Sequence, residues 1–256
     1  MIYQFKQLSI IKMEKVEKKR VVIALYGDNF SQSFIISWTQ AITDLMKSER
    51  YEFLICPGKK ESRIHTLGTD VVRGKSQKPF NGDKYDIFVN IDYDMVFSSQ
   101  QLIELIESTS LHPIVSGYYM LANNKNVSVV KECVKSFFIE NGTFKYLEAK
   151  DFEETVQKYQ EQIKLYKEDN TKTIPDPEFM KVSYVGLGFF ACRKEVLDDL
   201  QYPYFNHELQ RYRKGNLEIV DMCNEEVSFC KNLEDAGYDI MLNTRLRVGH
   251  EKNVIL

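Results

Sequence analysis

Along the chain, short apolar runs closed by turn residues alternate with stretches in which apolar residues return every three or four positions. VVIALY (21–26) is an unbroken β-rich run stopped by Gly27-Asp28-Asn29, the pattern of a buried strand entering a turn. From Ser31 onward Phe34, Trp38, Ile42 and Leu45 fall at helical spacing, which predicts a helix capped by Asn29 or Ser31. YEFLIC (51–56), closed by Pro57-Gly58, is the next predicted strand. Strand, helix and strand in that order imply a right-handed parallel crossover and the opening of a Rossmann-like sheet. Such sheets bind ligands beyond the carboxyl ends of their strands.

The basic, turn-rich segment 59–84 leads into YDIFVNIDYDMVF (85–97), whose apolar residues predict a buried strand. Ser98 or Ser99 then caps a helix containing Leu102, Leu105 and Ile106, and HPIVSGYYM (112–120) predicts another strand. The pattern weakens between about 121 and 150. From 151 to 169 Phe152, Val156, Tyr159, Ile163 and Tyr166 mark one face of a charged helix. That face has two readings: it packs onto the domain, or it contacts a second copy or an acceptor. Further strands are predicted at Val182–Val185 and FFAC (189–192), the second after Gly186-Leu187-Gly188 and before a helix from Arg193. A last helix from about Glu225 to Asp235 stops at Gly237, before YDIML and the closing RLRVGHEK.

Composition narrows the classes. The 256 residues carry 34 Lys and Arg against 37 Asp and Glu, a formal charge of -3, which is too little positive charge for a nucleic-acid footprint. No apolar run is long enough to span a bilayer, and the first twenty residues lack the order of a signal peptide; a cytoplasmic protein is expected, in the host cytoplasm if viral. The five cysteines (56, 133, 192, 223, 230) are odd in number and form no CxxC pair, so they are expected to be reduced core thiols.

The chemistry concentrates where the strand 85–97 ends in two acids. If the strand continues, Asp92 and Asp94 share a face with Tyr93 opposite. Two carboxylates that close repel unless a cation lies between them, and a hard divalent ion with oxygen ligands suits them. The plainer reading is a pair of acids that solvates a strand end or caps a turn.

VVIALYGDNFSQSFIISWTQAI, YDIFVNIDYDMVF, VSYVGLGFFACRKEVL and NEEVSFCKNLEDAGYDIMLNTRLRVGHEK, taken in that order, resemble the GT-A glycosyltransferases. The likeness is to the small stand-alone transferases of viruses, phages and bacteria, and it runs from Val21 to about Lys252. It implies an α/β fold with a mixed, mainly parallel sheet flanked by helices in a single domain. Residues of about 21–120 would bind the nucleotide sugar, and about 121–256 the acceptor. It further implies Mn²⁺ or Mg²⁺ held by Asp92, Asp94 and His250, with Asp92 reaching either a metal-bound water or the ribose. Donor contacts would come from Tyr26, Gly27, Asp28, Arg73, Asp92, Tyr93 and Lys252, the donor being a nucleoside-diphosphate sugar, most simply a UDP-sugar.

By the same resemblance Glu225 and Glu226 supply the base that deprotonates a glycan or glycoprotein hydroxyl, with inversion. Glu226 takes the place of the family's usual aspartate. Acids in a first helical turn also simply complement the helix dipole. Two other classes stay open: a haloacid dehalogenase-type Mg²⁺ phosphatase, in which the first aspartate of an Asp-x-Asp is a nucleophile, and a non-catalytic nucleotide or sugar binder.

Overall fold

The computed structural model describes residues 17–27, 29–57, 85–130, 149–150, 152–154, 156–158, 161, 178–201, 204–205, 207–214 and 216–252. β1 (Lys19–Tyr26), α1 (Gln32–Lys47) and β2 (Tyr51–Pro57) form the predicted crossover, with β1 and β2 parallel. The cap of α1 is Ser31, whose Oγ accepts the Phe34 N–H. β3 (Ile87–Asp92), the short β4 (Met95–Val96), α2 (Ser99–Ser108) and β5 (Ile114–Tyr118) follow. Ser98 and Gln101 close a reciprocal capping box at the start of α2.

The second half contributes β6 (Val129–Val130), β7 (Phe179–Val182), β8 (Tyr184–Val185), β9 (Phe189–Arg193) and α3 (Lys194–Asp199). It closes with β10 (Leu209–Lys214), β11 (Leu217–Met222), α4 (Glu225–Asp235), β12 (Ile240–Arg247) and β13 (Gly249–His250). The predicted strand over 182–185 is broken at Ser183 into β7 and β8. The hairpin β10–β11 was not foreseen, because the charges of RYRK interrupt the apolar pattern. Its cross-strand neighbours Leu209 and Met222 are both exposed.

Seven strands form one mixed sheet in the order β2-β1-β3-β9-β5-β12-β7. β9 runs antiparallel between β3 and β5, so a strand from the second half of the chain is inserted at the centre of the first. Alternation sorts the side chains onto two faces. Val21, Ile23, Ile87 and Val89 pack with Phe34 and Leu45 of α1 and Leu102 and Leu105 of α2. Val22, Ala24 and Phe88 pack with Val196 of α3 and Phe229 and Leu233 of α4. With helices on both faces, β3 is buried throughout, which explains why its sequence shows a continuous apolar run.

Phe152 and Val156 belong to this second core, with Phe152 edge-on to Tyr118 at 4.8 Å. The described start of the helix predicted over 151–169 therefore packs onto the body; Tyr159, Ile163 and Tyr166 lie outside the described residues. Cys56, Cys192, Cys223 and Cys230 are buried and form no disulfide, and burial pushes the Cys56 thiol up to about 11. No helix among the described residues is long and apolar enough to cross a membrane.

Phe229 seats α4, and with it the acidic pair at its first turn. Its ring is fully buried between Phe205, 4.5 Å away and stacked, and Phe190, 5.8 Å away and edge-on. Phe229→Ala is expected to cost about 3–5 kcal/mol of stability, read as a lower midpoint in urea unfolding with an unchanged slope.

Candidate active site

One expectation fails at the end of β3. The strand stops at Asp92, and Tyr93 and Asp94 form a turn before β4, so alternation does not place the two carboxylates on a shared face. The two acids are held by different partners. The Asp92 N–H donates to the Gly188 carbonyl at 3.0 Å, and its Oδ1 lies 3.4 Å from Nδ2 of Asn90, two residues back on the same face. Asp94 turns instead toward the end of the chain.

That meeting is built by backbone pairing. β13 lies antiparallel to β4, with His250 opposite Met95 and Gly249 opposite Val96. The Val248 N–H donates to Tyr118 O at 3.0 Å and the Glu251 N–H to Asp94 O at 2.8 Å. A chain end pinned this way delivers His250 Nε2 to 3.3 Å and Lys252 Nζ to 2.5 Å from the same oxygen, Asp94 Oδ2. Burial would raise the pKa of Asp94, but hydrogen bonds from His250 and Lys252 outweigh it and hold the carboxyl below its ordinary value.

The imidazole geometry bears on a cation. His250 Nδ1 lies 2.6 Å from the Met120 carbonyl. A carbonyl only accepts, so Nδ1 carries a proton; Nε2 donates to the Asp94 carboxylate when it too carries one, and in the neutral ring it presents a lone pair instead. Two lone-pair donors 3.3 Å apart repel unless a proton or a cation stands between them. One nitrogen and one carboxylate oxygen, oriented through a backbone carbonyl behind the ring, fit a divalent ion that keeps its other positions for water and phosphate oxygens. The nitrogen favours Mn²⁺ over Mg²⁺, which prefers oxygen alone. Among the described residues no three or more His, Cys, Asp or Glu side chains gather as a metal cage, so Asp92 does not complete a set of three with Asp94 and His250.

A cleft of about 220 Å³ opens beside the pair, lined by Asn29, Ser31, Tyr93, Asp94, Glu251 and Lys252. Gly27, at the end of β1, has φ +138°, and a Cβ there would fall 2.3 Å from Cβ of Tyr93; only glycine lets the two loops meet. Tyr26 pairs with Asp92 in the sheet register. The Tyr26 side chain, Asp28 and Arg73 lie outside the described residues. Ser31 Oγ donates to Glu251, tying the cap of α1 to the chain end.

The acidic pair sits at the first turn of α4, capped by Asn224. Glu226 Oε2 accepts a 2.8 Å hydrogen bond from the buried Tyr184 hydroxyl. Glu225 Oε2 lies 3.5 Å from His207 Nε2, and Nδ1 of that ring donates to Cys223 O at 3.0 Å. The partner of Glu226, Tyr184, leads toward the Asp94–His250 pair. Tyr184 lies two residues before Gly186, and both Gly186 and Gly188 pack on the Tyr119 hydroxyl. The Tyr119 ring meets His250 edge-on at 4.8 Å.

A larger cleft, about 540 Å³, opens at the other end of β3 beside Lys19, Asp86, Arg193 and Lys194. Two of its cations are engaged: Arg193 donates to Thr109 O and Ser110 O, and Lys194 pairs with Asp198. Asp94 and Lys252 line the smaller cleft.

Asn90, Tyr119, Tyr184, His207 and Glu251 were not singled out from the sequence. Asn90 alone left a signal there, a polar residue inside an apolar strand. The others are recognised only by what they touch.

No protein-family model and no curated protein matches the sequence. Solved structures do match in shape. A197 from STIV is similar over 91% of this chain and 86% of its own, at 15% identity and a TM-score of 0.48. Glucosyl-3-phosphoglycerate synthase from Mycobacterium tuberculosis, solved with Mn²⁺, UDP and phosphoglyceric acid, matches 92% of this chain and 72% of its own, at 11% identity and a TM-score of 0.43. GalNAc-T7, solved with UDP, GalNAc and Mn²⁺, matches 92% of this chain and 43% of its own, at 9% identity and a TM-score of 0.51. The chain, a seven-stranded mixed sheet flanked by helices, shares with this last structure the α/β fold of GT-A glycosyltransferases.

Proposed function

We propose that the protein is a metal-dependent glycosyltransferase that moves a sugar from a UDP-sugar to a hydroxyl of a glycan or protein, with inversion. The observation that carries this reading is the Asp94 carboxylate gripped by His250 and Lys252 at the carboxyl end of β3, where open α/β sheets bind their ligands. The presence of UDP and Mn²⁺ in the GalNAc-T7 structure is in keeping with it. In this reading residues 21–120 and 121–256 work as one unit, the first supplying donor contacts and the second the acceptor side.

Asp94 and His250 would hold the divalent cation, with Asp92 set back toward the ribose. The cation supplies Lewis-acid stabilisation of the departing diphosphate. Lys252, on the rim of the cleft, adds a positive charge to the same leaving group. Tyr93 and the Gly27 turn would border the nucleoside, with Tyr26, Asp28 and Arg73 assigned to the same donor. Glu226, oriented by Tyr184, would take the acceptor proton as the sugar carbon is attacked from the opposite face, and Glu225 would stay paired with His207. A dehalogenase-type phosphatase needs its later acids on a strand end, and here they open a helix.

Thermal unfolding with UDP, with Mn²⁺ and with both tests the reading. A ligand at 100 times its dissociation constant stabilises by about 2.7 kcal/mol, roughly 5 to 10 °C for a chain of this size. The expected result is a shift with UDP that requires Mn²⁺. A UDP response indifferent to metal, or none, overturns the proposal. Inversion is read separately, from the anomeric configuration of the product by NMR.

A further inference from the structure

Gly186-Leu187-Gly188 has the composition of a loop that lets a ligand approach the backbone, yet the space beside its glycines is occupied. All three residues are buried. A Cβ on Gly186 would lie 2.3 Å from the Tyr119 hydroxyl oxygen, and one on Gly188 would lie 2.8 Å from it. The phenol therefore fills a notch that exists because both positions lack side chains. Its oxygen accepts the Gly188 N–H at 3.2 Å. The rest of the turn is equally held: Leu187 O accepts from Asn90 Nδ2 at 2.5 Å, Gly188 O from the Asp92 N–H at 3.0 Å, and the Gly186 N–H donates to Ser128 O at 2.8 Å.

The same tyrosine forms the wall behind the imidazole. Its ring meets His250 edge-on, with centroids 4.8 Å apart and planes at 63°, and the next carbonyl along, Met120 O, holds His250 Nδ1. The Tyr119 backbone is fixed in turn, because Ser128 N–H donates to Tyr119 O at 2.9 Å and Tyr119 N–H to Ser128 Oγ at 3.2 Å. The ring of Tyr119 has one place to go, and the ring of His250 is located against it.

We propose that Tyr119 is the positioning residue of the metal site: docked in the Gly186–Gly188 notch, it sets the plane of the His250 imidazole and ties that ligand to the strand end carrying Asp92. The assignment rests on the metal-dependent reading above and names the group that makes a two-ligand site rigid enough to select its ion. Groups that orient a metal-binding histidine from behind commonly carry 10–100-fold of the affinity.

The test is a titration of the full chain with Mn²⁺ alone, following free ion by electron paramagnetic resonance, beside thermal unfolding of each variant. Tyr119→Leu removes the ring from the imidazole and is expected to weaken Mn²⁺ binding by about 10–100-fold. Gly186→Ala leaves Tyr119 in the sequence but displaces the phenol, and should weaken binding in the same direction. Tyr119→Phe keeps the ring, loses the Gly188 hydrogen bond, and should bind with a smaller deficit. These losses are to be measured at temperatures where circular dichroism shows each variant folded, so that a merely structural role would lower the melting temperature and leave the ion affinity unchanged. Mn²⁺ affinity equal to that of the unaltered chain in both folded Tyr119→Leu and folded Gly186→Ala overturns the assignment while the metal site stands. If the unaltered chain binds no Mn²⁺, the transferase reading falls and this assignment with it.

Discussion

Asp94→Asn is expected to abolish the Mn²⁺-dependent response to UDP and to lower transfer by at least about 10²–10³-fold, the loss seen when one preorganised electrostatic contact to a developing charge is removed. The substitution keeps the shape of the side chain and removes its charge. In the native site one carboxylate oxygen faces both the His250 imidazole and the Lys252 ammonium. The neutral amide is a poor ligand for a hard cation. It also leaves Lys252 without its counter-ion beside a mostly buried ring, so a modest fall in melting temperature accompanies the functional loss. The measurement is thermal unfolding with and without UDP and Mn²⁺, together with UDP release from a panel of UDP-sugars. A full metal-dependent shift in Asp94→Asn would remove this carboxylate from the proposed cation site.

Glu226→Gln separates chemistry from binding. Glu226 lies in the first turn of α4, held by Tyr184 through one carboxylate oxygen. Its replacement should leave the UDP and Mn²⁺ response intact and lower UDP release in the presence of a glycan acceptor array by about 10²–10⁴-fold, the usual contribution of a general base. Glu225→Gln, which disturbs a carboxylate 3.5 Å from His207, should have the smaller effect. If Glu225→Gln proves the more damaging of the two, the roles are reversed. If neither slows transfer, the acids at this helix start serve the dipole alone.

The elements with strong period and clear punctuation were legible in the sequence. β1, α1, β2, α2 and α4 fall where apolar spacing and caps put them, because a buried strand in a sheet covered on both faces needs a continuous apolar run and an amphipathic helix needs a stripe. The hairpin β10–β11 was not legible, since its strands carry charges and expose Leu209 and Met222. Asn90 was visible as an oddity in IFVNID, but its task, holding Leu187 O and reaching Asp92, required the coordinates.

The sequence by itself determined the two ends of the site: an apolar strand that must finish in acids at the sheet mouth, and a chain end carrying a histidine and a lysine. Only the tertiary structure decided that Asp94 meets His250 and Lys252. Strand alternation is a local rule, and it ceases at the turn after Asp92, where the pairing of β4 with β13 takes over. Tyr119 and the two glycines meet across 67 and 69 residues of chain for the same reason: from Tyr119 to Gly186 and Gly188, proximity is set by the packing of β5, β8 and β9, not by any spacing that a single sequence displays.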